Sequence, residues 1–169
     1  VAKYEHTENG NVTHVELKYD FIHIVPQQSA HEFITQSGLA HTEGAHLGWL
    51  KVHENTLQHL DYPNVFGVGD VTGLANSKTG AAIRSQAPLL EQNILEVMKG
   101  DKPTHLYHGY SSCPLITSFG TVMLAEFGYN GKLMPTFPLD PRKERWIYWI
   151  LKRYLLPKIY WWGMLKGRM

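Results

Sequence analysis

Pro63-Asn64-Val65-Phe66-Gly67-Val68-Gly69-Asp70 reads as a short apolar strand that runs into a Gly-Asp turn. Eight residues after Gly69, Ser77-Lys78-Thr79-Gly80 opens a helix. Within residues 77–99, Ile83, Ala87, Leu90, Ile94, Val97 and Met98 follow the 3.6-residue period, and Gly100 stands where a C-terminal stop belongs. Pro88 should bend this helix rather than end it. Gly67-Val68-Gly69 lacks the third glycine of a dinucleotide fingerprint, because position 72 is Thr72. What remains suits a polyol chain leading to an electron-rich ring: Asp accepts hydrogen bonds from hydroxyls, and a helix N-terminus attracts partial negative charge. On spacing alone, an ordinary strand-turn-helix with a capping Asp is the simpler reading.

Outward from this unit the chain mixes strands, loops and helices. Lys3 to His6 and Val12 to Leu17 flank Asn9-Gly10, the dipeptide best suited to a tight hairpin. Tyr19-Asp20-Phe21-Ile22-His23-Ile24-Val25 is expected to be a further strand, halted by Pro26. Residues 27–48 read as a loop with at most a short helix around positions 31–36, and 49–53 and 65–68 as short strands. Residues 103–125 contain no Asp, Glu, Lys or Arg. They are expected to form an interior-facing loop leading into a strand at 121–127. Asp140-Pro141 is a good helix opening, an N-cap followed by proline in the first turn.

The 169 residues suffice for one domain or part of a larger protein, and the chain opens directly into a strand as a piece of a longer protein would. At 43% hydrophobic and 18% charged it can bury a core and is not a disordered composition. One cysteine excludes a disulfide within the chain and a four-cysteine zinc site. The net charge of +1 gives no nucleic-acid footprint. That average hides an asymmetry. Residues 142–169 hold eight Lys/Arg against Glu144, a net +7, together with four of the five tryptophans. No apolar run is long enough to span a bilayer. Ile147, Ile150, Leu151, Tyr154 and Leu155 form a helical stripe beside Lys152 and Arg153, and Pro157 is expected to break it before a second apolar piece. Trp and Tyr next to Lys and Arg fit a helix lying in the membrane interface better than a core-packing helix with snorkelling cations. The ten histidines show no metal-binding spacing and read as surface and hydrogen-bonding groups.

A second segment stands out: Tyr107-His108-Gly109-Tyr110-Ser111-Ser112-Cys113-Pro114-Leu115. A lone cysteine in an apolar stretch is, by itself, most often a small buried hydrophobe. Resemblance adds to that reading. Thr56, separated by six residues from Pro63 to Asp70, and Tyr19 to Pro26 resemble the second flavin motif and the re-entry strand of two-dinucleotide-domain flavoproteins of the disulfide-reductase type. The cysteine box, with Ala125-Glu126-Phe127, Thr136-Phe137-Pro138 and Lys143-Glu144-Arg145, is similar to the C-terminal part of the mitochondrial-type sulfide:quinone oxidoreductases. His108 departs from the Asp expected there.

The resemblance implies an α/β fold, part of a two-dinucleotide-binding-domain (Rossmann-like) flavoprotein with C-terminal amphipathic helices. Residues 1–25 would end the second dinucleotide-type domain, 26–139 would belong to the FAD domain, and 140–169 would form a membrane-associating tail. It implies FAD held by Gly69, Asp70, Lys78 and Thr79, and a catalytic Cys113 paired with an upstream cysteine outside this chain. Sulfide, a quinone and a sulfur acceptor (a small thiol or sulfite) would be the reactants, at a bacterial cell membrane or the mitochondrial inner membrane. Two other classes share some of these features: a type II NADH:quinone dehydrogenase, which needs no redox cysteine, and a non-catalytic membrane-docking module.

Overall fold

The computed structural model describes residues 1–168; Met169, the end of the expected tail, lies outside the described residues. β1 (Ala2–Glu8) and β2 (Asn11–Leu17) form an antiparallel hairpin in which Glu8 faces Asn11 and Ala2 faces Leu17. Its two turn residues, Asn9 and Gly10, have φ of +50° and +82°, the paired left-handed conformation that this dipeptide tolerates best.

The strand expected at 19–25 does not form. Phe21, Ile24 and Val25 are exposed there and pair with no described strand. Apolar and β-branched residues favour a pleated, half-buried surface, but that preference acts only where a neighbouring strand supplies the ladder. α1 (Glu32–Gln36) is the expected short helix, and it buries Ile34.

Ile34, Ala40, Leu50, Val52, Leu57, Leu74 and Tyr107 form the main core, with Leu89 and Leu90 packed against it. The strands expected at 49–53 and 65–68 shrink to isolated bridges. Leu50 pairs with Ala40 and Thr72, Val52 with His59, and Gln58 with Phe66. The chain reverses within a few residues of each bridge, through turns such as the one closed by the Leu57 N–H donating to the His53 carbonyl at 2.9 Å, so no ladder extends.

α2 (Gly80–Met98) runs past Pro88 without ending. Thr79 caps it by accepting from the Ala82 N–H at 3.2 Å, and Gly100 follows with φ of +89°. The apolar stripe read from the sequence is not its most buried face. Ala82, Gln86 and Asn93 are buried, while Ile83 and Met98 are exposed.

The uncharged segment is more ordered than a loop. β3 (Ser111–Ser118) pairs antiparallel with β4 (Thr121–Phe127), setting Cys113 opposite Ala125 and Ser112 opposite Glu126. Pro114 is tolerated because β3 pairs with β4 alone and needs no second ladder. Val122 and Leu124 face Tyr148 in a second small core.

Asp140-Pro141 does not open the tail helix. The Asp140 carboxylate instead closes a turn, accepting from the Arg142 N–H and Nε, each at 3.1 Å. Arg145 then exchanges backbone hydrogen bonds with Val122 at 3.2 and 2.9 Å, and α3 (Trp146–Ile150) starts only after that bridge. Helical backbone continues through Lys166, so Pro157 does not break it. A proline ring crowds the carbonyl four residues back, here that of Arg153. A π turn over Leu151–Leu155 widens the helix at that point. The α4 turn (Leu156–Lys158), a second π turn and a final 3₁₀ turn complete the tail. Helix and strand are thus mixed, with the strands paired as two antiparallel hairpins and parallel pairing confined to single bridges.

Candidate functional site

Gly69 begins a 3₁₀ turn with φ of +72°, and a Cβ placed there would come within 3.0 Å of Ile83 on α2. Only glycine gives both that conformation and that clearance. The buried Gln86 carboxamide oxygen accepts from the Gly69 N–H at 2.8 Å, so the turn is bolted to α2 from 17 residues away. Asp70 projects from this turn exposed and hydrogen-bonds no other described side chain.

Lys78 lies just before α2. Its Nζ donates to the Thr72 carbonyl at 2.7 Å and sits 4.0 Å from the centre of the Trp49 ring, a cation-π contact. Burial holds its ammonium below the usual lysine range, and the nearby Asp70 carboxylate partly offsets this. Asp70, Val71, Lys78 and Trp49, together with Ser29 and His31, line an open cavity of about 360 Å³. A larger hollow of about 500 Å³ is walled by β1 and β2 alone and holds none of the residues singled out from the sequence.

Cys113 sits on β3, half-buried and unpaired. It does not line the cavity. Residues two apart in a strand share a face, which puts Cys113 on the same face as Ser111. The Ser111 hydroxyl donates to the Ser77 carbonyl at 3.1 Å and accepts from the Thr79 hydroxyl at 3.0 Å. The face of β3 that carries Cys113 is therefore joined to the N-terminus of α2. Upstream, Asn76 Nδ2 donates to the buried Tyr107 hydroxyl at 2.7 Å, and that hydroxyl donates to the Tyr110 carbonyl at 2.6 Å. Gly109 completes the approach with φ of +78° and Tyr129 packed against it; a Cβ there would lie 2.7 Å from the Tyr129 backbone nitrogen.

The opposite face of the hairpin holds a buried carboxylate. Glu126 accepts from the Tyr110 hydroxyl at 2.6 Å and from the Thr136 N–H at 2.9 Å, and from the Thr136 hydroxyl as well. It fixes the chain just before β3 to residue 136. Trp49, Gln86 and Asn76 were not singled out for the site from the sequence, since each acts on a partner at least ten residues away, and the roles of Tyr107 and Glu126, quoted there only within longer segments, were not read. Two of the histidines, His53 and His59, serve as hydrogen-bonding groups in turns. His59 Nδ1 accepts from the Asp61 and Tyr62 N–H groups at 3.0 and 3.2 Å, which leaves Nε2 to donate to the Leu39 carbonyl at 3.0 Å.

No protein-family model matches the chain. Relatives do. It is 40% identical over 166 residues to the mitochondrial sulfide:quinone oxidoreductase of Mus musculus, covering 98% of this chain and 36% of that protein. The corresponding protein of Dictyostelium discoideum is 44% identical over 162 residues, covering 96% and 34%. That of Schizosaccharomyces pombe is 37% identical over 165 residues, covering 95% and 35%. The chain matches the C-terminal part of the sulfide:quinone oxidoreductases. It spans about a third of the length of these curated sulfide:quinone oxidoreductases, which are enzymes named mitochondrial. Among solved structures, a chain in the cryo-EM structure of the Tetrahymena thermophila mitochondrial ATP synthase (F1Fo composite tetramer model) superposes with a TM-score of 0.66. It is 28% identical and covers 78% of this chain and 31% of that one.

The cavity residues fit a flavin. An exposed carboxylate free for a hydroxyl, a half-buried cation and an aromatic wall meet at the N-terminal end of a 19-residue helix, a donor set suited to a polyol chain beside an electron-rich ring.

Proposed function

We propose that this chain is the C-terminal part of a membrane-associated flavoprotein that oxidises sulfide and delivers two electrons to a quinone. Supporting this most directly is the hydroxyl pair of Thr79 and Ser111, which ties the helix behind the candidate flavin cavity to the strand carrying the candidate redox cysteine. FAD, when bound, supplies the two-electron carrier between the sulfur chemistry and the quinone. Gly69 opens the turn that presents Asp70, whose carboxylate would accept a hydrogen bond from a ribityl hydroxyl. Lys78 holds a positive charge at the cavity wall, and Thr79 holds the helix end in place.

Cys113 carries the sulfur. Hydrosulfide attacks a disulfide between Cys113 and a cysteine outside this chain, so one S–S bond forms as another breaks. A persulfide is left on one sulfur and a thiolate on the other. A small thiol or sulfite then takes the terminal sulfur, leaving two thiols, and their return to the disulfide would release the two protons and the two electrons that the bound flavin would carry to the quinone. The basic, tryptophan-rich tail lies on the membrane surface, on the side from which a quinone would enter. None of the described helices is long and apolar enough to cross a membrane, and the reading needs surface attachment only.

The test is Cys113→Ser in the full-length protein. Sulfide-dependent quinone reduction should disappear while flavin absorbance stays with the protein. Turnover at the wild-type rate in that variant would overturn the role given to Cys113.

A further inference from the structure

The β3–β4 hairpin ends in an apolar tip with nothing over it. Phe119 is 91% exposed and Ile116 59%, and residues 103–125, which include all of β3, contain no charged side chain. Exposed strands in water-facing proteins usually carry charges, prolines or covers that block pairing with other chains. Here Pro114 is present, but the outer half of the hairpin has no charge at all. The hydroxyls around the turn pair mainly with one another: Thr121 Oγ1 lies 2.9 Å from Thr117 Oγ1 and 2.6 Å from Ser118 Oγ, and its own proton points to the Glu144 carboxylate at 3.4 Å. A tip whose hydroxyls are already paired with protein groups loses less on leaving water.

This tip is continuous with the start of the tail. The Phe119 and Trp149 rings lie 5.5 Å apart, and Arg153 sits 5.8 Å from the Trp149 ring. Lys152 Nζ donates to the Pro114 carbonyl, holding the helix against β3. Exposed Trp146, Ile147 and Ile150 extend the apolar surface along α3. Lys152 and Arg153 adjoin it, and the tail as a whole has a net charge of +7. An apolar, tryptophan-bearing patch beside cations matches an anionic lipid surface.

We propose that the tip of the β3–β4 hairpin enters the membrane interface together with α3, as a second, non-helical contact fixed rigidly to the strand of Cys113. The proposal rests on the membrane reading of the tail and adds a defined insertion point to it.

Flotation of the full-length protein with vesicles of phosphatidylcholine and phosphatidylglycerol tests it. Phe119→Ser should lower the partition coefficient about tenfold or more, the effect of one large side chain no longer leaving water. Phe119→Leu, which keeps apolar area but loses the ring, should bind close to wild type. Ile116→Ser, away from the Trp149 contact, should weaken binding in the same direction and serves where Phe119→Ser folds poorly. Turnover with a short, water-soluble quinone should be unchanged in all three. Equal flotation of wild type, Phe119→Ser and Ile116→Ser overturns the hairpin contact and leaves the tail reading standing. Weak binding by Phe119→Leu to the same degree as Phe119→Ser overturns insertion in favour of a purely structural ring contact. A wild-type protein that does not float overturns the membrane reading and this proposal with it.

Discussion

The Thr79 hydroxyl donates to the Ser111 hydroxyl at 3.0 Å while its oxygen accepts from the Ala82 N–H at 3.2 Å. One small side chain thus caps α2 and fastens β3 to it. Thr79→Val keeps the shape and removes both bonds. Loss of an N-cap costs about 0.5–2 kcal/mol, and the Ser111 oxygen, which keeps its bond to the Ser77 carbonyl but loses its donor, adds to it. Urea unfolding should show that loss, with alkylation of Cys113 faster than in wild type. Thr79→Ser should behave as wild type, and a Thr79→Val protein of unchanged stability would contradict the double role.

Asp70 and Lys78 face the same cavity with opposite charge. Asp70→Ala in the full-length protein should weaken FAD retention by about 1.5–3 kcal/mol, the range for a hydrogen bond to a charged group. Lys78→Met keeps the stem beside Trp49 and removes the cation. The flavin reduction potential should fall, because a positive charge nearby favours the anionic reduced form. Unchanged FAD occupancy in the first variant and an unchanged potential in the second would remove these residues from the cofactor site.

Asn93 shows where sequence reading stops. Helical periodicity located α2 well, but the apolar stripe points beside the buried face rather than along it. The side chain of Asn93 is fully buried and donates to the Thr56 and His105 carbonyls at 3.0 and 2.8 Å, while accepting from the His105 N–H at 2.9 Å. It satisfies two loops that have no ladder of their own, and no local pattern announces such a role. Asn93→Leu should therefore destabilise by about 1–3 kcal/mol, although it improves the hydrophobic pattern. Thermal unfolding at an unchanged midpoint would refute that.

Elsewhere, legibility followed the range of the determining interaction. The Asn9-Gly10 hairpin and the cap at Thr79 depend on residues within a few positions and were readable. β3 was hidden by Pro114 and its Ser/Thr content, because one-sided pairing with β4 is a tertiary fact. The run at 19–25 had strand chemistry and no partner. In the candidate site, the Gly-Asp turn was legible as local structure, while Lys78 and the cysteine box stood out through resemblance rather than through their own pattern. Trp49 and Gln86 were not, because their contacts with Lys78 and Gly69 bridge 29 and 17 residues of chain.

His41 predicts an acid response. Its Nε2 is buried without a hydrogen-bond partner, wedged where a Cβ on Gly73 would lie 3.0 Å away. Burial, and the neighbouring His46, Lys51 and His59, hold its pKa below the usual histidine value. The unfolded chain then binds the proton more readily than the folded one, so stability rises with pH across this window. As pH falls below about 6.5, the ordinary histidine value, stability should drop until the folded-state pKa is passed. His41→Gln should flatten that part of the pH–stability curve, and a curve of unchanged slope would rule out His41 as the source.

The tail divides into a packed part and a free part, and truncation should separate them. Arg145 pairs with Val122 in both directions, and Tyr148 is 4% exposed against Val122 and Leu124. Removing residues 142–169 therefore strips one side of β4 and uncovers the second core, so that deletion should destabilise the hairpin and lower soluble yield. A cut after Arg153 keeps the Arg145 bridge, the Tyr148 packing and the Lys152 bond to Pro114. It discards Lys158, Lys166, Arg168 and exposed Trp161 and Trp162. Each basic residue near an anionic surface contributes roughly 1 kcal/mol, and the lost apolar area adds about 25 cal/mol per Å². The shorter cut should thus retain flavin and turnover with a water-soluble quinone, while flotation with anionic vesicles and reaction with a long-chain quinone both fall. A core role for the whole tail makes the opposite forecast, with both truncations unfolding alike. Circular dichroism and flotation measured on the two truncations decide between them.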